Sequence, residues 1–442
     1  MAISTVTRFA DQLGSLIDRE ALTRMMLEMV DIPSPTGKEE AFARYLGERF
    51  AELGMEIKYQ EMEAGRPNII ATLKGTGGGP SLMFNGHLDT TTVGDEPGLQ
   101  MGQRNRSGIL DGEWIYGNGC SNMKSAFPAY YGAIKAIRDA GIQLKGDIVM
   151  SGVVGEIEKA PIDQYQGCEF RGGGSGTRWL VMQGVTSDLA IVGEPTGLRV
   201  QPGNTGYLFV KIATYGVTQH TWSKQNGIDA LAKMRRVMDR LEAWEPIYEQ
   251  RHPHPLMKPR VGVSAIQGGF PYKPSLCPAP YCYLYIHVTM VPGTNINSVK
   301  QEIQDILDDL AAQDPEFKSD IDIYLARNGY EIAMDHPLVR SMEQAHRSVL
   351  GQAPVYPEPY RYSVSSDGST LDEYGIPALT YGPGGINRQR EYSMYDRELG
   401  EILSISNLVD CTKVYAMAAL DLCQRDRQEW LADSRPYQLF QA

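Results

Sequence analysis

From residue 6 to residue 31 the apolar positions Phe9, Leu13, Leu16, Ile17, Leu22, Met25, Met26 and Met29 recur every three or four places. That is the stripe a helix buries on one face. Pro33 and Pro35 then end it, because proline has no N–H for the helix ladder and clashes with the preceding turn. A second helix is predicted over 38–53, opening on Lys38-Glu39-Glu40 and stopping at Gly54. Shorter apolar runs at 68–73 and 81–85 predict strands, followed by a helix near 124–139 and a strand at 147–154. Leu189-Ala190-Ile191-Val192 reads as one more buried strand. Strands alternating with helices predict an α/β sheet covered on both faces.

After Pro202 the rhythm changes. Strand patterns at 206–217 and 280–291, with helices near 227–243 and 296–312, make a small α+β unit. From about 329 the α/β pattern resumes with a helix at 336–350, a strand near 377–381 and a final helix at 399–423. The expected organisation is a larger domain in two parts, 1–202 and 329–442, with a smaller domain, 203–328, inserted between them. Arg171-Gly172-Gly173-Gly174-Ser175-Gly176 reads as a mobile loop. It lacks the Lys-Ser/Thr and flanking strand of a phosphate cradle.

Composition narrows the classes. A chain of 442 residues exceeds one typical core. Its 42% hydrophobic and 22% charged residues are ordinary for a soluble globular protein. A net charge of −12 argues against nucleic acid or an anionic membrane as partner. The six cysteines, Cys120, Cys168, Cys277, Cys282, Cys411 and Cys423, form no CxxC pair, as expected of reduced thiols in the cytoplasm. No signal peptide is evident at the N-terminus, and no run of 18 apolar residues offers a spanning helix.

The chemistry concentrates in five segments at predicted strand ends or helix starts. They are Gly86-His87-Leu88-Asp89-Thr90; Gly119-Cys120-Ser121-Asn122-Met123-Lys124; Val153-Val154-Gly155-Glu156-Ile157; Gly193-Glu194-Pro195-Thr196; and Tyr381-Gly382-Pro383-Gly384-Gly385, with Asn387 and Glu391 beyond. On a strand, His87 and Asp89 point the same way. A carboxylate beside a histidine commonly fixes the tautomer of a metal ligand, although a core histidine with a satisfied partner fits this fragment equally. Open α/β sheets bind ligands beyond the carboxyl ends of their strands, where the five segments can converge.

In these motifs the chain resembles the dinuclear-zinc aminoacylases and carboxypeptidases, a family that includes acetylornithine deacetylase, succinyl-diaminopimelate desuccinylase and glutamate carboxypeptidase. The likeness runs from Ile32-Pro33-Ser34 to the last helix. It implies a mixed-sheet α/β zinc-peptidase-like domain with an inserted α+β, ferredoxin-like lid and dimerisation domain, and hence a homodimer. It also implies His87 and Glu194 as metal ligands, Asp89 as orienter of His87 and Glu156 as general base. His220, in Thr218-Gln219-His220-Thr221, would reach the partner's active site, and Asp367 matches a further family motif.

Several positions depart from the family pattern. Asn122 stands where the family bridges two cations with an aspartate, Ile157 where a second glutamate ligates, and Asn387 where a histidine ligates. A carboxamide lends a cation one oxygen but cannot clamp two, and isoleucine ligates none. Glu158 could replace the lost glutamate if the loop bulges. His87, Asn122 and Glu194 therefore remain as ligands for one divalent ion (zinc, manganese or cobalt) or for none. Thr289 occupies the place of an arginine that reads a substrate carboxylate. Arg361, Lys273, Arg388 and Arg390 are the alternative cations, and a guanidinium at 388 or 390 could fill the space of the second metal.

Three readings follow. The first is a metal-dependent hydrolase of an amide or related C–N bond in a small N-acyl amino acid-like or peptide-like substrate, with Glu156 as general base. The second is a metal-independent acid–base enzyme using the same cleft. The third is a catalytically silent homologue that acts as a binding protein.

Overall fold

The structure is a computed structural model that describes residues 9, 11–94, 96, 107–356, 365–389, 391, 393, 395–396 and 400–434. Two compact units divide the chain. One holds the chain up to Gly203 and returns at Glu331 and again from Ser366; the other is Asn204–Tyr330. Arg361 and Arg390 lie outside the described residues.

In chain order the first unit opens with helices α1 (Arg19–Val30) and α2 (Glu40–Glu52), then strands β1 (Glu56–Glu63), β2 (Arg66–Leu73), β3 (Leu82–His87), β4 (Ile109–Asp111) and β5 (Trp114–Tyr116). Helix α3 (Ala126–Asp139), β6 (Ile148–Val153), α4 (Ser175–Met182) and β7 (Leu189–Val192) follow. The first helical stripe is interrupted before α1, where the Asp18 carboxylate accepts the N–H groups of Glu20 (2.9 Å) and Ala21 (3.0 Å) and starts a new helix.

The second unit is β8 (Gly206–Tyr215), α5 (Ala230–Arg251), β9 (Val261–Gly268), β10 (Tyr281–Met290), α6 (Ile296–Gln313) and β11 (Lys318–Arg327). Its antiparallel sheet runs β9-β10-β8-β11 and shares an apolar core with α5 and α6. The β9 and β11 strands escape the sequence pattern because their side chains are mostly exposed or half-buried, which leaves little apolar signal.

The first unit resumes with α7 (Pro337–Leu350), α8 (Gly368–Glu373), β12 (Ala378–Thr380), β13 (Tyr395–Asp396), β14 (Gly400–Ser404), α9 (Ile405–Cys423) and α10 (Arg427–Ser434). The predicted helix start at 399 is corrected here: 400–404 form a strand, in which Gly400 and Glu401 pair with β13 and Ile402–Ser404 with β5, and Ser404 caps α9. The six-stranded sheet, β1-β2-β6-β3-β7-β12, is mixed. Strands β6, β3, β7 and β12 pair parallel, whereas β2 pairs antiparallel with both β6 and β1. One core joins these strands to α1, α2, α3, α7 and α9.

This register builds the site. His87 ends β3 opposite Val153, and Asn85 lies opposite Val192. The three parallel strands therefore finish at one edge, and the residues just beyond them, Glu156 and Glu194, are delivered to the neighbourhood of His87.

Candidate active site

His87, Glu156 and Glu194 are all buried, and their ligand atoms lie within 4.8 Å of one another. Among the described residues no other trio of His, Cys, Asp or Glu side chains gathers in this way. The His87 ring is fixed at both nitrogens. Its Nδ1 stands 2.8 Å from the Asp89 carbonyl oxygen, which makes Nδ1 the donor and turns Nε2 inward. Nε2 is 2.9 Å from Asn122 Oδ1 and 3.6 Å from Glu194 Oε1.

A nitrogen lone pair cannot face two oxygens at these distances unless a proton or a cation lies between them. Burial of the ring disfavours charge, but the carboxylates of Glu194, Glu156 and Asp89 outweigh it and raise His87 to about 9. The donor set of one imidazole, one carboxamide oxygen and two carboxylates suits a divalent cation. The residues fit the group that the sequence motifs imply.

Asp89 does something other than expected. Its backbone carbonyl, not its carboxylate, bonds His87; the nearer carboxylate oxygen is 3.6 Å from Nδ1. The carboxylate instead accepts from the Glu156 N–H (3.0 Å), the Ile157 N–H (3.2 Å) and the Thr36 hydroxyl (2.8 Å). Asp89 thus fastens the loop that carries Glu156.

Among the described residues no second cluster of ligands assembles. Ile157 is buried, and Glu158 is half-buried and outside the trio. The Asn387 side chain closes on Glu391, accepting its N–H at 2.9 Å and donating to its carboxylate at 3.3 Å. Arg388 pairs with Asp111 at 2.5 Å and stacks on the Tyr116 ring. Asp367 is buried at the start of α8.

In the inserted unit, Thr289 takes the Arg260 N–H on its hydroxyl at 2.6 Å, which is a strand-pairing role. Lys273 is exposed there. His220 is exposed too, with its ring against Trp222, and it belongs to a different unit from His87, Glu156 and Glu194.

Sequence reasoning missed the buried charges around the trio. Glu401 on β14 accepts the N–H groups of Ser121 (3.2 Å) and Asn122 (3.5 Å) and so holds the turn that presents Asn122. Burial raises its carboxyl to about 7. Lys124 is buried, with its ammonium on the carbonyls of Met29 (3.0 Å) and Ile32 (2.6 Å); burial lowers it to about 7. Arg66 and Glu39 form a fully buried pair behind the Glu156 loop. The one hint in sequence is an arginine opening the apolar run of β2.

Comparison with known proteins places the chain in a family. N-formyl-4-amino-5-aminomethyl-2-methylpyrimidine deformylase of Bacillus subtilis is 26% identical over 430 residues, covering 90% of this chain and 93% of the relative. Acetylornithine deacetylase of Aliivibrio fischeri is 24% identical over 354 residues, 78% of this chain and 83% of the relative. Human carnosine dipeptidase 1 has the same fold at a TM-score of 0.70 and 14% identity, over 96% of this chain and 99% of that one. The metallo-carboxypeptidase Sso-CP2 of Sulfolobus solfataricus matches at 0.70 and 15%, over 91% and 99%. Residues 83–421 match the model of peptidase family M20/M25/M40. With most of its length inside that match and the same mixed-sheet α/β fold, the chain belongs to peptidase family M20/M25/M40.

Proposed function

We propose that the protein hydrolyses an amide or related C–N bond in a small N-acyl amino acid-like or peptide-like substrate, with Glu156 as general base and one divalent cation held by His87, Glu194 and the Asn122 oxygen. The observation that carries this reading is the buried convergence of His87, Glu156 and Glu194. A divalent cation bound there supplies Lewis-acid polarisation of the scissile carbonyl.

The chain's own residues do the rest. Glu156 takes a proton from the attacking water and passes it to the leaving nitrogen. Asp89 keeps the Glu156 backbone in place, and its carbonyl sets the His87 tautomer. The names of the relatives, a deformylase and a deacetylase, support removal of a small acyl group. Ile157, Asn387 closed on Glu391 and the neutral Asn122 support one cation rather than two.

The test is calorimetric titration of chelator-treated protein with Zn²⁺, Mn²⁺ and Co²⁺, alongside release of free amine from N-formyl and N-acetyl substrates. Glu156→Gln should lower kcat by roughly 10²- to 10⁴-fold while cation binding survives. No cation bound and no metal-dependent turnover would sink the proposal.

One observation favours a second reading. With His87 raised to about 9, a proton can stand where the cation would, and the cleft would then work by acid–base chemistry alone. Full turnover in the presence of chelator, lost in Glu156→Gln, would select it.

We also propose a homodimer through the inserted unit, where β9 is an edge strand among the described residues and exposes Val263 and Ile266. In that dimer His220 serves the partner's site. Light scattering during size exclusion, and turnover by His220→Ala, test the two halves of this statement.

A further inference from the structure

The glycine-rich stretch is a tightly packed brace, not the mobile loop its composition predicts. The N–H groups of Gly172, Gly173, Gly174 and Ser175 donate to the carbonyls of Lys159 (3.1 Å), Ile157 (2.9 Å), Gly155 (3.0 Å) and Gly155 again (3.2 Å). Side chains would not fit there: a Cβ at Gly172 would stand 1.9 Å from the Ile157 carbonyl oxygen, and one at Gly176 2.1 Å from that of Val154. The glycines let one backbone lie directly on another, and the backbone so covered is the one that bears Glu156.

Arg66 anchors this brace. Its guanidinium is fully buried and grips Glu39 with two donors, at 2.7 and 3.1 Å. A further bond runs to Glu63 at 3.0 Å, and Nη2 also reaches the carbonyl of Arg171 at 3.0 Å, the residue just before the glycines. Gly155, at φ +63°, turns over the same guanidinium; a Cβ there would lie 2.7 Å from Nη2 and 2.7 Å from the Arg171 carbonyl oxygen. A buried ion pair is a poor source of net stability, because desolvating both ions offsets most of their attraction. Its geometric use is plain: a planar fork fixes a carbonyl in direction as well as distance.

We propose that Arg66, with Glu39, is a positioning residue for Glu156, acting through the Arg171 carbonyl and the Gly172–Ser175 brace. The proposal rests on Glu156 as the base of the proposed function. The Glu156 loop is thus held from two sides, by Asp89 on one and the brace on the other.

The test is the double substitution Glu39→Leu/Arg66→Met in the full chain, which exchanges the pair for apolar side chains of similar size. The variant is expected to melt near the wild-type temperature, with amide hydrogen exchange across 155–159 faster by about 10-fold. Zn²⁺ affinity by calorimetry should stay within about 3-fold, and kcat should fall about 10- to 100-fold at nearly constant KM. Arg66→Lys, which keeps the charge beside Glu39 but lacks the planar fork that holds the Arg171 carbonyl, should give the same exchange and kcat pattern and decides the matter if the double variant does not fold.

Unchanged exchange at 155–159 in either folded variant overturns the proposal, as does a loosened loop with unchanged kcat. If the wild-type protein hydrolyses no N-acyl substrate, the proposed function fails by itself, and the exchange measurement still decides whether the clamp exists.

Discussion

Replacing Asp89 by asparagine separates the two jobs a residue beside His87 can have. In the wild-type protein one carboxylate oxygen accepts the Glu156 N–H at 3.0 Å, and the other accepts the Ile157 N–H at 3.2 Å and the Thr36 hydroxyl at 2.8 Å. The amide of asparagine keeps one acceptor oxygen. Placed to keep the pair of bonds from Thr36 and Ile157, it turns its NH₂ against the Glu156 N–H, donor against donor. A buried N–H left without an acceptor costs about 1–3 kcal/mol, and the surviving bonds fall to about half strength once the charge is gone. The sum is a destabilisation of about 2–4 kcal/mol.

The bond from His87 Nδ1 goes to the Asp89 backbone carbonyl and survives the substitution. Urea unfolding should therefore report the loss of stability. Activity should fall about 10- to 100-fold, while Zn²⁺ affinity by calorimetry changes much less. The reverse pattern, intact stability with a large loss of Zn²⁺ affinity, would refute the assignment of the carboxylate to the Glu156 loop.

Three further outcomes are expected. His336 and His346 are each lowered by burial to about 4, so the unfolded chain, with histidine near 6.5, takes up protons first as the pH falls. Stability is then full above about pH 6.5 and declines toward pH 4; each histidine contributes roughly 2 kcal/mol of that decline between pH 7 and pH 5. His346→Gln should remove one share when urea midpoints at the two pH values are compared. Arg388→Ala cuts a surface pair with Asp111 and a stack on Tyr116, and should cost at most about 1–2 kcal/mol with cation affinity unchanged; tighter Zn²⁺ binding would mean that the guanidinium does occupy a cation's place. Phe84→Ala removes a fully buried ring stacked 4.8 Å from Tyr130 and 5.3 Å from Tyr415, and should lower unfolding stability by about 3–5 kcal/mol; a loss below 1 kcal/mol would refute that packing.

Much of the fold was legible because burial leaves a periodic signature. The wholly buried runs of β3, β6 and β7 and the striped helices stand out in a single sequence. The charged or half-exposed strands β1, β9 and β11 carry no such signature, since their pairing is a backbone matter. Likewise 400–404 read as helix: Ile402, Leu403 and Ile405 suit either period until β5 supplies a partner.

The site divides along the same line. Residue identity by itself marked which groups can ligate or move protons, with His87, Glu156 and Glu194 as candidates; that Asn122, Ile157 and Asn387 stand where a second cation would lose its ligands is what the family resemblance implies. Tertiary structure alone decided which atoms face which. It gave the bond to His87 to the Asp89 carbonyl and left the carboxylate for the Glu156 loop. It also turned Asn387 onto Glu391 and Arg388 onto Asp111. From residues far apart in the chain it brought Glu39, Arg66 and the 171–175 brace behind Glu156. The reason is physical: a side chain's chemistry is local, whereas its direction, burial and partners are set by which strand ends and loops the packed core brings together.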